Sequence, residues 1–200
     1  MEQSYRLVSF NDNFRLTELV LKGEVSQFYH VIDRDHIDIS DFMSTNLYHD
    51  QIKLEALYIP MYKEKEVLAI AQTYKDIGLS MMQFLRQNDT AIEEHYHIGC
   101  NNKLLVKSSM MPHHIRINSI KVKRIQDVDV DDCLSLGVLV NPDKTEKSLR
   151  YGVGSKYFGT IFDDTNARDA FSYMVTQEHG YDVWRKNPYC VFYKFNLLPF

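Results

Sequence analysis

The sequence predicts a mainly β, α+β domain with peripheral helices. Three observations lead there. The chain holds 13 Tyr and 11 Phe in 200 residues, and aromatic side chains favour the pleated, half-buried surface of a strand. Residues 103–124 carry six Lys/Arg and no Asp or Glu, with apolar residues alternating at Ile115 and Ile117 and then shifting phase to Ile120 and Val122. That pattern is a long basic strand with a bulge at Asn118-Ser119. Finally, two apolar runs, Val67 to Ala71 and Tyr189 to Leu197, are bounded by charge or turn residues, as buried strands are.

Taken in order, residues 4–10 alternate loosely and predict a first strand. Asn13 is placed to cap a helix near 15–22 through Leu16, Leu19, Val20 and Leu21, with Gly23 as its stop. Val25 to Ile32 is strand-like, and residues 33–60 are polar and predict a loop with a short packed element. Ile77, Met81, Phe84 and Leu85 have helical spacing, giving a helix near 77–88 with Asp76 as N-cap. Residues 89–101 are expected to be loop. After the basic strand, Ile125 to Asp132 holds four Asp and no base, and Asp129 opens a short helix that stops on Gly137. Residues 138–160 are rich in turn residues and predict a long surface excursion, with Gly152-Val153-Gly154-Ser155 as a turn. Ala167, Ala170, Phe171, Met174 and Val175 form one stripe of a helix near 166–179, capped near Asp164 and stopped by Gly180.

A chain of 200 residues is one domain, with insertions near 77–101 and 138–160. Hydrophobic content of 44% excludes a disordered protein. The net charge of −4 excludes a generally basic nucleic-acid coat, so any polyanion site is a local patch, and residues 103–124 are the candidate. No apolar run reaches the roughly 20 residues of a membrane helix. The polar start Met1-Glu2-Gln3 and three widely spaced Cys (100, 133, 190) lead us to expect a cytoplasmic protein with free, buried thiols.

An ordered set of motifs carries a family resemblance. Lys107-Ser108-Ser109-Met110-Met111-Pro112, Arg116-Ile117, Val122-Lys123-Arg124-Ile125-Gln126-Asp127-Val128, Asp132-Cys133 and Gly137 resemble the core of the ASCH domain, a PUA-like β-barrel family common in bacteria and their phages. Residues 60–76 and the pair Ala170-Phe171 followed by Trp184 and Asn187-Pro188 match the same family in the same order. The resemblance covers roughly 60–76 and 103–198 well, and 14–32 weakly. It implies a PUA-like barrel and binding of RNA or a modified nucleoside.

Two sets of residues follow as candidates. On the basic strand and just before it, Lys107, Arg116, Lys121, Lys123 and Arg124 suit phosphate contacts, although alternation is expected to split them between two faces, so that two or three share one surface. In a cleft implied by the resemblance, Gly23, Ser26, Gln27, Tyr29, Lys75, His113 and Arg116 would receive a base, with Tyr29 as a stacking face. The family's amidohydrolase members resemble a Gly-x-Lys-Thr loop, but Val25 stands where that Lys would lie and Tyr29-His30 where a basic pair would. No catalytic residue is therefore assigned. Amidohydrolase or ribonuclease chemistry is the alternative, and a phage-derived protein-interaction module a further one. His113 and His114, as neighbours on a strand, face opposite sides and do not form a catalytic pair. His95-x-His97-x-x-Cys100 lacks the second ligand pair of a structural zinc site, and neither a metal nor a cofactor is expected.

Overall fold

The alternation read in the basic segment is a strand, and the rest of the main sheet is laid out from it. The computed structural model describes residues 5–32, 60–87, 93–141, 150–156, 159–164 and 166–199. Its strands are β1 (Arg6–Val8), β2 (Gln27–Val31), β3 (Val67–Ile70), β4 (His114–Arg124), β5 (Val138–Val140), β6 (Tyr151–Ser155), β7 (Gly159–Asp164) and β8 (Tyr189–Leu197). Its helices are α1 (Leu16–Leu21), α2 (Met81–Arg86), α3 (Glu93–Asn101), α4 (Val130–Ser135), α5 (Ala167–His179) and α6 (Tyr181–Lys186).

The described strands form two sheets, a five-stranded one in the order β1-β3-β4-β8-β2 and a three-stranded one in the order β5-β6-β7. Only β1 and β3 pair in parallel; the other pairs are antiparallel. The architecture is α+β. The described strands do not close into the single barrel expected from the family resemblance, because the chain spends β5 to β7 on a separate antiparallel meander.

The main core draws on both faces of the large sheet, with Val191, Tyr193 and Phe195 on one and Cys190 and Phe192 on the other, and it continues beneath α1 and α5. Ile115, Ile117, Val191, Tyr193 and Phe195 have essentially no exposure, and Phe28 stacks on Tyr193 at 4.9 Å between ring centroids. The expected stripe Ala167, Ala170, Phe171, Met174 and Val175 is buried along α5, each large side chain contributing roughly 1.5–3 kcal/mol. A second, smaller core of Ala69, Tyr74, Phe84, Cys100, Val106 and Met111 sits under α2 and α3. Among the described residues no helix is long and apolar enough to cross a membrane.

Several expectations need correction. The described parts of 138–160 form β5, β6 and the start of β7 rather than a surface excursion, and Gly152-Val153-Gly154-Ser155 is strand, not turn. The glycine is there for close approach, since a Cβ on Gly154 would lie 2.6 Å from the Phe14 carbonyl oxygen. Residues 93–101 are helix rather than loop, and Gly99 lets α3 lie against the Tyr74 ring, 2.2 Å from where its Cβ would be. The helix expected near 77–88 runs only over Met81–Arg86, because Ser80 and Gln83 make a reciprocal capping box there, while Asp76 accepts from Thr73 in the preceding turn. Asn166, not Asp164, caps α5, and α1 starts after Arg15 rather than at Asn13. The segment from Val25 to Ile32 becomes strand only at Gln27. Helix α6 was not anticipated. The loop read at 33–60 lies outside the described residues except for Pro60.

Gly154→Ala is expected to destabilise the protein by about 1–3 kcal/mol, because the neighbour it would strike is backbone and yields poorly. Chemical denaturation of the variant beside the wild type measures this; an unchanged midpoint would show that β6 does not press on residues 12–14 as described.

Candidate functional site

The site is set by one extra residue in β4. Against β8, Ile117 pairs with Phe195, but the next pair is Ser119 with Lys194, so Asn118 is a bulge. Side chains flip face at every residue of a strand, and a one-residue insertion reverses the phase. Even-numbered Arg116 before the bulge and odd-numbered Ser119, Lys121 and Lys123 after it therefore share one face. Directly paired residues also share a face, which adds Asn196 and Lys194 of β8 opposite Arg116 and Ser119. The expected split of the cations between two faces thus leaves Arg116, Lys121 and Lys123 together on one surface and Arg124 on the other. The inward phase is kept for Ile115, Ile117 and Val122, all buried.

A small hollow of about 70 Å³ opens on this face, lined by Gln27, Ser119, Lys121, Lys123, Asp132, Phe192 and Lys194. Its floor is a fixed polar network. Lys123 Nζ pairs with Asp132 Oδ2 and lies 4.8 Å from the Phe192 ring centroid. Asp132 also closes the N-terminal capping box of α4 with Asp129, whose Oδ1 accepts from Asp132 N at 2.7 Å. Burial alone would raise the Asp132 carboxyl, but Lys123, the Asp129 backbone and the Gln27 side chain bonded to it hold it below its ordinary value. Lys123 is therefore already engaged, whereas Arg116, Lys121 and Lys194 are exposed and form no ion pair among the described residues.

A larger cavity of about 460 Å³ lies on the other side of Gln27, along the outer edge of β2. Its apolar walls include Phe10, Phe28, Tyr29 and Met174, and its polar groups include Asn11, His30, Glu178 and His179. Glu178 accepts from Tyr29 Oη at 3.0 Å and from Asn11 Nδ2 at 2.8 Å. Burial and the Glu178 carboxylate push the Tyr29 hydroxyl well above its usual range, so it stays a donor. Burial, reinforced by His179, pulls His30 below its usual value and favours its neutral form. Gln27, only 7% exposed, forms part of both hollows.

Of the sequence candidates, the fold brings together Gln27, Tyr29, Lys121 and Lys123, with Arg116 on the same sheet face as the lysines. The others line neither hollow. Gly23, at φ +76°, ends α1. Ser26 uses its backbone, donating to Ser135 O and accepting from Phe195 N. Lys75 is exposed in the turn before α2. Lys107 donates its backbone N–H to Tyr74 Oη beside the smaller core, and His113 Nδ1 lies 2.7 Å from Gln72 Oε1. Arg124 stacks on Tyr189 at 4.4 Å and donates to Asn187 O, a role at the end of the sheet. Val25, at 2% exposure, belongs to the main core. His95 and His97 lie on α3, and no three metal-ligating side chains converge among the described residues.

Sequence reasoning missed Lys194, Glu178 and Asn11. Lys194 had a usable signal: it is the charged residue in the run Tyr189 to Leu197, where the strand turns one side chain to the open face. Glu178 and Asn11 are 167 residues apart, and nothing local announces their contact.

The depressed Asp132 carboxyl stabilises the fold above the unfolded carboxylate range, and that contribution disappears as pH falls through the folded value, below about 4. Thermal melts of wild type between pH 7 and pH 3 should fall more steeply than those of Asp132→Asn, and parallel curves would remove the Lys123–Asp132 pair from this account.

Comparison with protein-family models, with curated proteins and with solved structures finds no significant match to this chain.

Proposed function

We propose that this is an ASCH-type protein that binds RNA or a nucleotide, with phosphate held on the β4–β8 face and a base received in the cavity at the edge of β2. The observation that carries the reading is the position of Gln27, which borders a cationic hollow on one side and an aromatic-walled cavity on the other. A cavity of about 460 Å³ is within the size range of small-molecule sites. Lys121, Lys194 and Arg116 are unencumbered cations for phosphate oxygens, the sequence-independent part of nucleic-acid affinity. Tyr29, Phe28 and Phe10 offer ring surface to a base, a contact worth roughly 1–3 kcal/mol. In this reading the two open sheets stand for the walls of a PUA-like barrel, and the buried free thiols suit a reducing cytoplasm.

The amidohydrolase alternative needs an amine in the cleft, and no lysine is among the described residues that line the cavity. Where the family resemblance implies one, the buried Val25 fills core space. Binding without turnover is the reading these side chains support.

Fluorescence anisotropy against single-stranded RNA, duplex RNA and DNA at two salt concentrations tests the proposal. Affinity for RNA should fall with salt, and Lys121→Ala/Lys194→Ala should weaken it by roughly tenfold or more and flatten the salt slope by about 1 to 2. Binding that ignores salt, or a double variant that binds like wild type, would contradict the assignment of phosphate to this face.

A further inference from the structure

The cavity's polar groups are more specific than a general base pocket requires. Phe195 N donates to Ser26 O and Ile32 N donates to Tyr189 O, so the even-numbered residues of β2 turn their backbone groups toward β8. Gln27, Tyr29 and Val31 therefore direct theirs to the other side, where no described strand pairs with β2. All three line the cavity, and so does Glu178, whose side chain is 15% exposed. A carboxylate has about four acceptor positions. Tyr29 and Asn11 occupy one on each oxygen, which fixes the group in place and leaves acceptor capacity toward the cavity.

We propose that this cavity selects guanine, with the Glu178 carboxylate accepting from two adjacent N–H donors on the base edge and an outward backbone N–H of β2 donating to the base carbonyl. The proposal rests on the nucleotide-binding reading and adds the identity of the base to it. Among the common bases guanine alone sets an imino N–H beside an exocyclic amino group, so that both carboxylate oxygens are used. Adenine and cytosine place a ring acceptor next to their amino group, where it would face carboxylate oxygen. Uracil has an imino donor flanked by carbonyls, which the same carboxylate repels. The edge strand complements this pattern because its outward N–H and C=O groups alternate. Half-buried His30, whose neutral form burial favours, and protonated Tyr29 add no charge beside the carboxylate, and His179 Nε2 stands 3.8 Å from Glu178 Oε2.

Calorimetric titration of the wild-type protein with guanosine, inosine and adenosine 5′-monophosphates and with arginine amide tests this directly. Inosine lacks only the exocyclic amino group, so its monophosphate should bind about tenfold more weakly than that of guanosine, the worth of one hydrogen bond to a charged group. That comparison is made on unaltered protein and does not depend on any variant folding. Glu178→Gln, checked by its melting temperature, should bring guanosine and adenosine monophosphates to within about threefold of each other, since its amide offers one acceptor in place of two. Equal binding of all three nucleotides would overturn the guanine assignment and leave nucleotide binding standing. Binding of none of them would overturn both. Arginine amide binding more tightly than guanosine monophosphate would show that the carboxylate recognises a guanidinium instead.

Discussion

The pairing of β4 with β8, interrupted by the single bulged residue Asn118, is the constraint on which the rest of the structure depends. On the core side the bulge keeps Ile115 and Ile117 before it, and Val122 after it, in contact with Val191, Tyr193 and Phe195. On the open side it gathers Arg116, Lys121 and Lys123 beside Lys194. Without the extra residue the second half of β4 would have to reverse its faces, sending Lys121 and Lys123 into the core or pulling Val122 out of it. The C-terminal end of the same strand is tied down in turn. Ile125 N donates to Pro188 O, Gln126 N to Asn187 Oδ1, and Gln126 Nε2 to Trp184 O. The motif residues Gln126 and Asn187-Pro188 thus serve to hold β4, β8 and α6 in register.

From that frame the two hollows follow. The pairing of β2 with β8 leaves the other edge of β2 unpaired among the described strands, and Phe10 and Asn11, together with Met174 and Glu178 of α5, approach it from outside. Helix α4 helps wall off the gap on the sheet face: Asp132 near its start holds Lys123 and Gln27, while Leu136 at its end lines the cavity. Polar and apolar requirements are met together, because the charges nearest the core, Lys123 and Asp132, neutralise each other, and the cations left unpaired are those facing water.

What was legible in the sequence was what local chemistry writes down. The phase shift from Ile117 to Ile120 marked the bulge, Asp129 and Asp132 marked the start of α4, and the five-residue stripe marked α5. What stayed hidden depends on partners distant in the chain. Strand β6 reads as a turn because Gly154 serves close packing on Phe14, which no local pattern reveals. Helix α3 reads as loop because its sequence is polar with a glycine near its end, and its stability comes from Tyr74 and Tyr96 stacking across the small core at 6.0 Å. The candidate list suffered in the same way. Lys107, Lys75 and His113 have suitable chemistry, but the fold places them away from the shared Gln27 wall, whereas Glu178 reaches it through contacts 149 and 167 residues apart.

The most direct measurement is an amide and side-chain chemical-shift map of the ¹⁵N,¹³C-labelled protein titrated with a short single-stranded RNA. Perturbed signals should concentrate in β2, in the Ser119 to Lys123 half of β4, at Lys194, and at Asn11 and Glu178, with α2 and α3 unaffected. Perturbations centred on Lys75, Lys107 or the α2–α3 lobe, with Gln27 and Tyr29 silent, would contradict it.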